Sequence, residues 1–306
     1  MNSKKEKIGI VGVGWVGSVV KRWFLTRNWE QGKNLFCYDC DLVKIDDQDD
    51  ISRADIIFIC VPTPNYSIDG SCNTQIVRSV VAQFAGSDKL VVIKSTVEPG
   101  TTERLEEKYN VAIAFNPEFL TEENAWQDFV SPCRQVVGYT DKSKKWVSTL
   151  VSLLPEVSSS YALIMPAIDA EIAKYSCNMF GAMKVSFANA IAALAENAGA
   201  NYKNIRRVMA EDIRIGDSWL DIHHGGYLGF GGYCFPKDAS ALISWARKIR
   251  EKMNIPVKDG KDLERAVFAR ELVGMFLSIY KFNEALLALQ GLTIGQVSGH
   301  IKRKEK

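Results

Sequence analysis

The sequence is poor in several features that would direct it toward particular functions. It has only three histidines, His223, His224 and His300, so few mechanisms that need a histidine base fit it. The two adjacent histidines have no visible third partner, and we therefore predict no metal site. No apolar run is long enough to cross a bilayer, so we expect no membrane association. The formal net charge of +2 gives no indication of nucleic-acid binding.

The cysteines and the two termini indicate where the protein works. Seven cysteines is an odd number, and their spacing forms no disulfide framework, which is typical of a reducing cytosol. The polar start at residues 1–7 predicts no secretory signal peptide. Residues 299–306 form a short basic tail that we interpret as a solvated terminus. We therefore expect a cytoplasmic protein.

The composition is that of an ordinary globular protein with room for two domains. The chain has 306 residues, of which 47% are hydrophobic and 24% are charged. In the first half, short apolar runs alternate with amphipathic stretches, which predicts an α/β domain with a parallel sheet covered by helices on both faces. We predict a Rossmann-type domain over residues 1–165. Its strands are expected at 8–11, 35–39, 54–61, 89–95, 111–115, 135–139 and 161–164.

The second half is predicted to be entirely helical. From Ala167 to Ala198 apolar residues recur at helical spacing, which indicates one long central helix. Further helices are expected at 204–210, 239–250 and 263–288, so residues 166–298 form a helical domain. A long glycine-rich loop over residues 216–236 interrupts it, and loops of this length usually carry function.

A dinucleotide-binding fingerprint follows the first strand. Gly12, Gly14 and Gly17 form a GxGxxG between that strand and a helix, where backbone N–H groups and the helix dipole can meet a pyrophosphate. Asp39 ends the second strand, 22 residues after Gly17 (39 − 17). A carboxylate there accepts hydrogen bonds from a ribose hydroxyl and repels a 2′-phosphate. The pattern predicts NAD rather than NADP.

Polar segments follow the ends of three further strands. They are Val61-Pro62-Thr63-Pro64, Lys94-Ser95-Thr96-Val97 and the stretch from Asn116 to Glu122. Ligands of open α/β sheets bind at such strand ends. Glu118 and Glu122 are the carboxylates best placed to act as a base, although each could instead cap the next helix.

The helical half contains a candidate nucleophile. Cys234 follows the glycine-rich stretch Gly229–Gly232 and precedes Lys237 and Asp238. A thiol at the start of a helix beside a cation reacts readily as a thiolate, which points to aldehyde oxidation through a thiol adduct. Lys174 and Asn178 are four residues apart and share one face of the long helix, where they could polarise an oxygen or form a solvated pair.

These motifs, in this order, resemble those of the UDP-glucose/GDP-mannose dehydrogenase family. The resemblance covers residues 7–245 and adds VPTP followed by Asp69-Gly70, KSTV-x-PGTT (94–102), NPEFL-x-E (116–122), AE-x-x-K-x-x-x-N (170–178) and GFGG-x-C-x-PKD (229–238) to the glycine fingerprint. It implies oxidation of the C6 primary alcohol of a nucleotide sugar to a carboxylate with two NAD.

The resemblance also implies roles for individual residues. Cys234 is expected to attack the C6 aldehyde, giving a thiohemiacetal and then a thioester that water hydrolyses. Lys174 and Asn178 are expected to stabilise the oxyanion, and Glu118 to act as general base.

Supporting roles follow in the same way. Thr96 and Asp238 are expected to hold the catalytic water, and Glu122 to support cofactor and loop. The expected cofactor-binding residues are Gly12, Gly14, Trp15, Val16, Gly17, Asp39, Val61, Pro62, Thr63, Ser95, Thr96 and Glu122. The expected substrate-binding residues are Glu118, Phe119, Leu120, Lys174, Asn178, Phe230, Gly231 and Cys234.

The chain departs from the family pattern in its length. Family members continue into a second Rossmann-like domain, and no further βαβ pattern follows residue 288. Four alternatives therefore stay open. The chain is an active dehydrogenase, completed by a homodimer partner through the helical domain or taking a smaller substrate. It is one part of a split enzyme that needs a separate chain, or an NAD-binding protein without turnover. A β-hydroxyacid-type dehydrogenase that transfers one hydride is the fourth, against which Cys234 argues.

Overall fold

The computed structural model describes residues 5–46, 49–157, 162–223, 225–253 and 260–299. It divides into two compact units. The first comprises residues 1–64 and 72–174, and the second comprises residues 65–71 and 175–306. The domain boundary between residues 165 and 166 stays a prediction.

The first unit is built on one seven-stranded sheet with the order β2-β1-β3-β4-β5-β6-β7. Strands β1 to β5 are mutually parallel, and each interior strand is a continuous run of buried apolar residues, as a sheet covered on both faces requires. The chain order reverses between β1 and β3, which creates a crevice at their carboxyl ends. The strands are β1 (Ile8–Val11), β2 (Leu35–Tyr38), β3 (Ile56–Ile59), β4 (Leu90–Ile93), β5 (Ala112–Phe115), β6 (Val136–Tyr139) and β7 (Leu163–Pro166).

Two features of the sheet correct the sequence-based prediction. Strand β6 runs antiparallel to β5, so the sheet is not wholly parallel. The helix α4 (Ala125–Val130) between them has six residues and is about 9 Å long, too short to carry the chain back along the sheet. The last strand, β7, lies at 163–166 rather than 161–164; Tyr161 lies outside the described residues.

Helices cover both faces of this sheet and bury two apolar layers. One layer includes Phe36, Ile57 and Phe115, and the other includes Phe24, Ile10 and Phe58. The covering helices besides α4 are α1 (Trp15–Thr26), α2 (Gln75–Ala82), α3 (Thr101–Tyr109) and α5 (Val147–Leu153).

The second unit consists of helices joined by loops in its described residues. The predicted long helix is confirmed as α6 (Ala167–Asn197), whose first eight residues belong to the first unit. Helix α8 packs against α9, and Phe230 is fully buried beside Ala182 and Val185. The remaining helices are α7 (Tyr202–Glu211), α8 (Cys234–Met253), α9 (Gly260–Ala288) and α10 (Ile294–Val297).

Helix α8 begins at Cys234, five residues before the predicted start at Ala239. Pro236 therefore lies inside the first helical turn rather than in the preceding loop. Proline is tolerated there because the N–H groups of the first turn have no intrahelical acceptor. None of the helices within the described residues has the length and apolar character needed to cross a membrane.

Candidate active site

The glycine fingerprint forms a tight turn from β1 into α1. Gly12 has φ +87, and a Cβ there would lie 2.8 Å from the carbonyl oxygen of Cys60. A Cβ on Gly17 would lie 1.8 Å from the carbonyl oxygen of Gly12, so the helix can start this close to the strand only with glycine. A Cβ on Gly14 would meet nothing within 4 Å. Gly14 therefore leaves open space at the start of α1, where a pyrophosphate fits the helix N-terminus.

Asp39 lies beside this turn. One carboxylate oxygen accepts a hydrogen bond from the Val13 N–H at 2.6 Å, and the other accepts from the Asp41 N–H at 2.9 Å. Burial raises the pKa of Asp39, but these backbone donors and Lys44 outweigh it, so the pKa lies below its ordinary value. The side chain is thus an anion held next to the turn, as a ribose-binding carboxylate requires.

The remaining predicted cofactor residues lie at the ends of β3 and β4 and in the first turn of α1. The Ser95 hydroxyl donates to the Val61 carbonyl at 2.7 Å, and the Thr63 hydroxyl donates to the Thr96 carbonyl at 2.8 Å. These bonds join the two loops that follow β3 and β4. Pro62 is exposed beside them, and Trp15 and Val16 occupy the exposed start of α1.

Glu118 and Lys174 form a close pair within the first unit. The Lys174 ammonium donates to the Glu118 carbonyl oxygen at 2.6 Å and to its Oε1 atom at 3.2 Å. The Lys174 side chain is 3% exposed and that of Glu118 is 12% exposed. The other carboxylate oxygen of Glu118 accepts from the Leu120 N–H at 2.8 Å. The predicted base and one predicted oxyanion donor are therefore neighbours.

A buried polar network that sequence reasoning missed supports this loop. The Lys94 ammonium donates to the Asn116 side-chain oxygen at 2.7 Å, and the Asn116 amide donates to Gln135 and to the Val136 carbonyl. Burial lowers the pKa of Lys94 to about 8. Lys94 stands in the KSTV motif and Asn116 in the NPEFL motif. A lysine that directly follows a buried strand could have indicated a buried polar network here.

The Phe119 ring lies close to two cations. The Lys174 ammonium is 5.2 Å from its ring centroid, and the Arg134 guanidinium carbon is 4.0 Å from it. Both distances suit cation–π attraction. Arg134 was not predicted to take part in the site. Glu122 is half-buried further along the same loop, before α4.

In the second unit, Asp238 contacts the predicted site residue Asn178 and the neighbouring cation Lys237. Its buried carboxylate accepts hydrogen bonds from the Asn178 amide and from the Lys237 ammonium, each at 2.5 Å. Cys234 is half-buried at the first position of α8, in the same helical turn region as Asp238. The Asn65 amide donates to the Lys237 carbonyl at 2.7 Å, a contact that the sequence did not predict.

The glycine-rich loop before Cys234 is held by helix α9. The Asn283 side chain, which is fully buried, pairs with both the N–H and the carbonyl of Phe230. A Cβ on Gly231 would lie 2.8 Å from the backbone carbonyl oxygen of Val297, so this position is packed for glycine. Asn283 was missed because one amide in a long helix gives no signal of its partner.

Some predicted relationships are left open by the structure. Thr96 lies in the first unit and Asp238 in the second, so their shared hold on a water stays a prediction. His223 is exposed, and His224 lies outside the described residues. Across the described part of the chain, no three histidine, cysteine, aspartate or glutamate side chains converge as a metal site would need.

Two family domains match the chain in sequence. The NAD binding domain of the UDP-glucose/GDP-mannose dehydrogenase family matches residues 44–156, and the central domain of the same family matches residues 168–258. The predicted cofactor, NAD, is thereby confirmed.

Individual proteins of known sequence are similar to the chain and point to the same family. UDP-glucose 6-dehydrogenase of Pseudomonas aeruginosa is 32% identical over 290 residues, covering 79% of this chain and 62% of its own length. UDP-glucose 6-dehydrogenase YwqF of Bacillus subtilis is 32% identical, covering 81% of this chain and 63% of its own length. The chain thus spans less than two thirds of these relatives.

The fold is shared with a solved structure from a hyperthermophile. A UDP-glucose dehydrogenase from Pyrobaculum islandicum superimposes with a TM-score of 0.69 at 27% identity, covering 92% of this chain and 69% of that one. The predicted α/β class is confirmed by this likeness and by the seven-stranded sheet. On its two domain matches and these relatives, the chain belongs to the UDP-glucose/GDP-mannose dehydrogenase family.

Proposed function

We propose that the protein oxidises the C6 primary alcohol of a nucleotide sugar, UDP-glucose first, to the uronic acid. UDP-glucose is proposed because the two relatives that are 32% identical to this chain are UDP-glucose 6-dehydrogenases. NAD bound at the glycine turn would accept one hydride in each of two successive oxidations, so this four-electron reaction uses two NAD per sugar. Each turnover also consumes one water and leaves the carboxylate.

The observation that carries the proposal is the setting of Cys234. It opens α8, and Asp238, four residues later, is buried and bonded to both Asn178 and Lys237. A helix start beside a cation favours a thiolate. The thiolate sulfur adds to the C6 aldehyde as a thiohemiacetal; loss of hydride leaves a thioester, and water then releases the acid and restores the thiol.

Glu118 and Lys174 support the proton transfers. The Glu118 carboxylate is held by the Lys174 ammonium and the Leu120 N–H, so it is fixed in place to take a proton from the alcohol or from water. Lys174 is buried and cationic in this pair, which suits stabilisation of a developing alkoxide. Asn178, one helical turn further on α6, is proposed as the second oxyanion donor.

We propose a homodimer formed through the helical unit. Helix α6 exposes Phe180, Phe187 and Leu194, which are spaced seven residues apart and are 53%, 53% and 67% exposed. Such an apolar stripe is typical of a helix that packs against a partner. Light scattering after gel filtration tests this: a monomer at micromolar concentration contradicts it.

NADH formation with a panel of nucleotide sugars tests the activity. We expect two NADH and one uronic acid per UDP-glucose consumed, and no uronic acid with Cys234→Ala, because the thiol is needed for the second oxidation. Retained NAD binding by the variant serves as the folding control. One NADH per sugar, unchanged in Cys234→Ala, would indicate single-hydride chemistry. If no sugar in the panel is oxidised while NAD still binds, this chain does not carry the activity by itself.

A further inference from the structure

The loop over residues 225–233 leads directly into Cys234 and contains five glycines. Gly229 and Gly232 have φ values of +100 and +72, which other residues adopt only with strain. A glycine-rich backbone has more conformations to lose than any other. A nucleophile that follows such a loop is well placed only if the loop is tied to something rigid.

Asn283 supplies the first tie. Its side-chain oxygen accepts from the Phe230 N–H at 2.7 Å, and its side-chain amide donates to the Phe230 carbonyl at 2.9 Å. The amide thus pairs with one residue's backbone as a neighbouring β-strand would. Asn283 and Phe230 are both fully buried, so water cannot replace these two hydrogen bonds.

Two residues that follow Asn283 in the chain, Gln290 and Val297, also form hydrogen bonds with the loop. Gln290 pairs in the same way with the Leu228 N–H and carbonyl, at 2.8 and 3.0 Å. It lies seven residues after Asn283, so the two amides project from one side of the helix end. The Gly232 N–H donates to the Val297 carbonyl of α10 at 2.9 Å. Alternate loop residues 228, 230 and 232 are therefore all held.

Side-chain packing extends this fixed region of the loop to Cys234. A Cβ on Gly229 would lie 2.5 Å from the Asn283 side-chain oxygen, so the loop runs in direct contact with the amide. The Phe230 ring packs edge-on against Phe235, with centroids 6.5 Å apart, and Phe235 directly follows Cys234. Phe235 in turn fills the space over Gly181 of α6. The backbone on both sides of Cys234 is thereby fixed.

We infer that Asn283 is a positioning residue, which fixes Cys234 by clamping the backbone of Phe230, with Gln290 as a second clamp. The inference rests on the proposed role of Cys234 as the nucleophile. It assigns a purpose to α9 and α10, both of which lie beyond the matched central domain at 168–258.

Two variants and one control test the clamp. Asn283→Ala removes both hydrogen bonds at Phe230, and Gln290→Ala removes those at Leu228 from a less buried site. Lys281→Ala changes an exposed residue of the same helix and is the control. For each protein, the rate of Cys234 alkylation by iodoacetamide is followed against pH by mass spectrometry of its peptide. Steady-state kinetics, NAD affinity and thermal unfolding are measured alongside.

A clamp predicts a specific pattern. Asn283→Ala should shift the pH profile of Cys234 alkylation and lower kcat about tenfold, with NAD affinity unchanged because that site lies in the first unit. Gln290→Ala should change both in the same direction but less, and Lys281→Ala should change neither. A merely structural loss lowers the melting temperature without moving the alkylation profile of the folded protein.

The opposite results overturn the inference. If the alkylation profile and kcat of folded Asn283→Ala match those of the unaltered protein, Asn283 does not position Cys234. Should Asn283→Ala fail to fold, Gln290→Ala decides by the same criterion. Alkylation needs no sugar, so a shifted profile in a protein that oxidises no sugar would uphold the clamp while contradicting the proposed function.

Discussion

The Glu171 carboxylate accepts hydrogen bonds from both the backbone N–H and the hydroxyl of Thr102, at 2.9 and 2.6 Å, across 69 residues of sequence. It also accepts from the N–H of Gly100, so it caps the start of α3 with full burial. Lys174 is three residues further along α6, nearly one turn. The cap thus anchors the helix segment from which Lys174 reaches Glu118.

Loss of this cap should destabilise the first unit. Glu171→Ala leaves three buried donors at Gly100 and Thr102 without an acceptor, so the free energy of unfolding should fall by about 3 kcal/mol. Urea unfolding followed by circular dichroism measures the change. Glu107→Ala, at an exposed position of α3, is the matched control and should cost less than about 0.5 kcal/mol. Equal losses in the two variants would contradict the capping role.

Glu171 should also make stability depend on pH. Burial raises its pKa from 4.5 to about 7, so the folded protein binds a proton more tightly than the unfolded chain does. Its contribution is therefore largest below pH 4.5 and is lost as the pH rises through 7. Across that window, the free energy of unfolding should fall with pH more steeply in the unaltered protein than in Glu171→Ala. Parallel pH curves for the two proteins would show that the Glu171 pKa is not raised.

The open space at Gly14 allows a test of the cofactor site that leaves the fold intact. A methyl group at Gly14 contacts nothing within 4 Å, so Gly14→Ala should unfold at nearly the same temperature as the unaltered protein. The same methyl group occupies the space where a pyrophosphate would approach the helix, so NAD affinity should fall at least about tenfold. Isothermal titration calorimetry measures it. Undiminished affinity would mean that the cofactor does not pass over Gly14.

Removing the proposed base should separate chemistry from binding. Glu118→Gln keeps an oxygen to accept from Lys174 but cannot take a proton, so kcat should fall about 100-fold while NAD affinity is kept. Steady-state NADH formation with UDP-glucose measures the loss. Glu123→Gln, at an exposed position of the same loop, is the control and should keep kcat within about twofold. A kcat for Glu118→Gln near that of the control would assign the base to another group.

Local patterns predicted much of the fold because they report local physics. Alternating apolar runs located all seven strands to within a few residues, and the 3.6-residue period identified α6. The glycine fingerprint was read correctly as a tight strand-to-helix turn, because its spacing and its place after β1 leave few other conformations. The start of α8 was wrong by five residues, since proline in a first turn and proline before a helix look alike in sequence.

Partners far apart in the chain could not be predicted in the same way. Nothing near Glu171 indicates Thr102, and nothing near Asn283 indicates Phe230, because each pair forms only once helices and loops have packed. Arg134 beside Phe119 is a further case. The direction of β6 likewise depends on where a six-residue helix returns the chain to the sheet.

The sequence by itself determined the kinds of element, the cofactor turn and the set of chemical groups, because backbone propensity, apolar period and functional-group chemistry are local properties. The tertiary structure alone decided which groups meet: Glu118 with Lys174, Asp238 with Asn178, and Phe230 with Asn283. Those pairings depend on burial, since a buried donor or acceptor must find its partner within the protein, wherever the fold brings one.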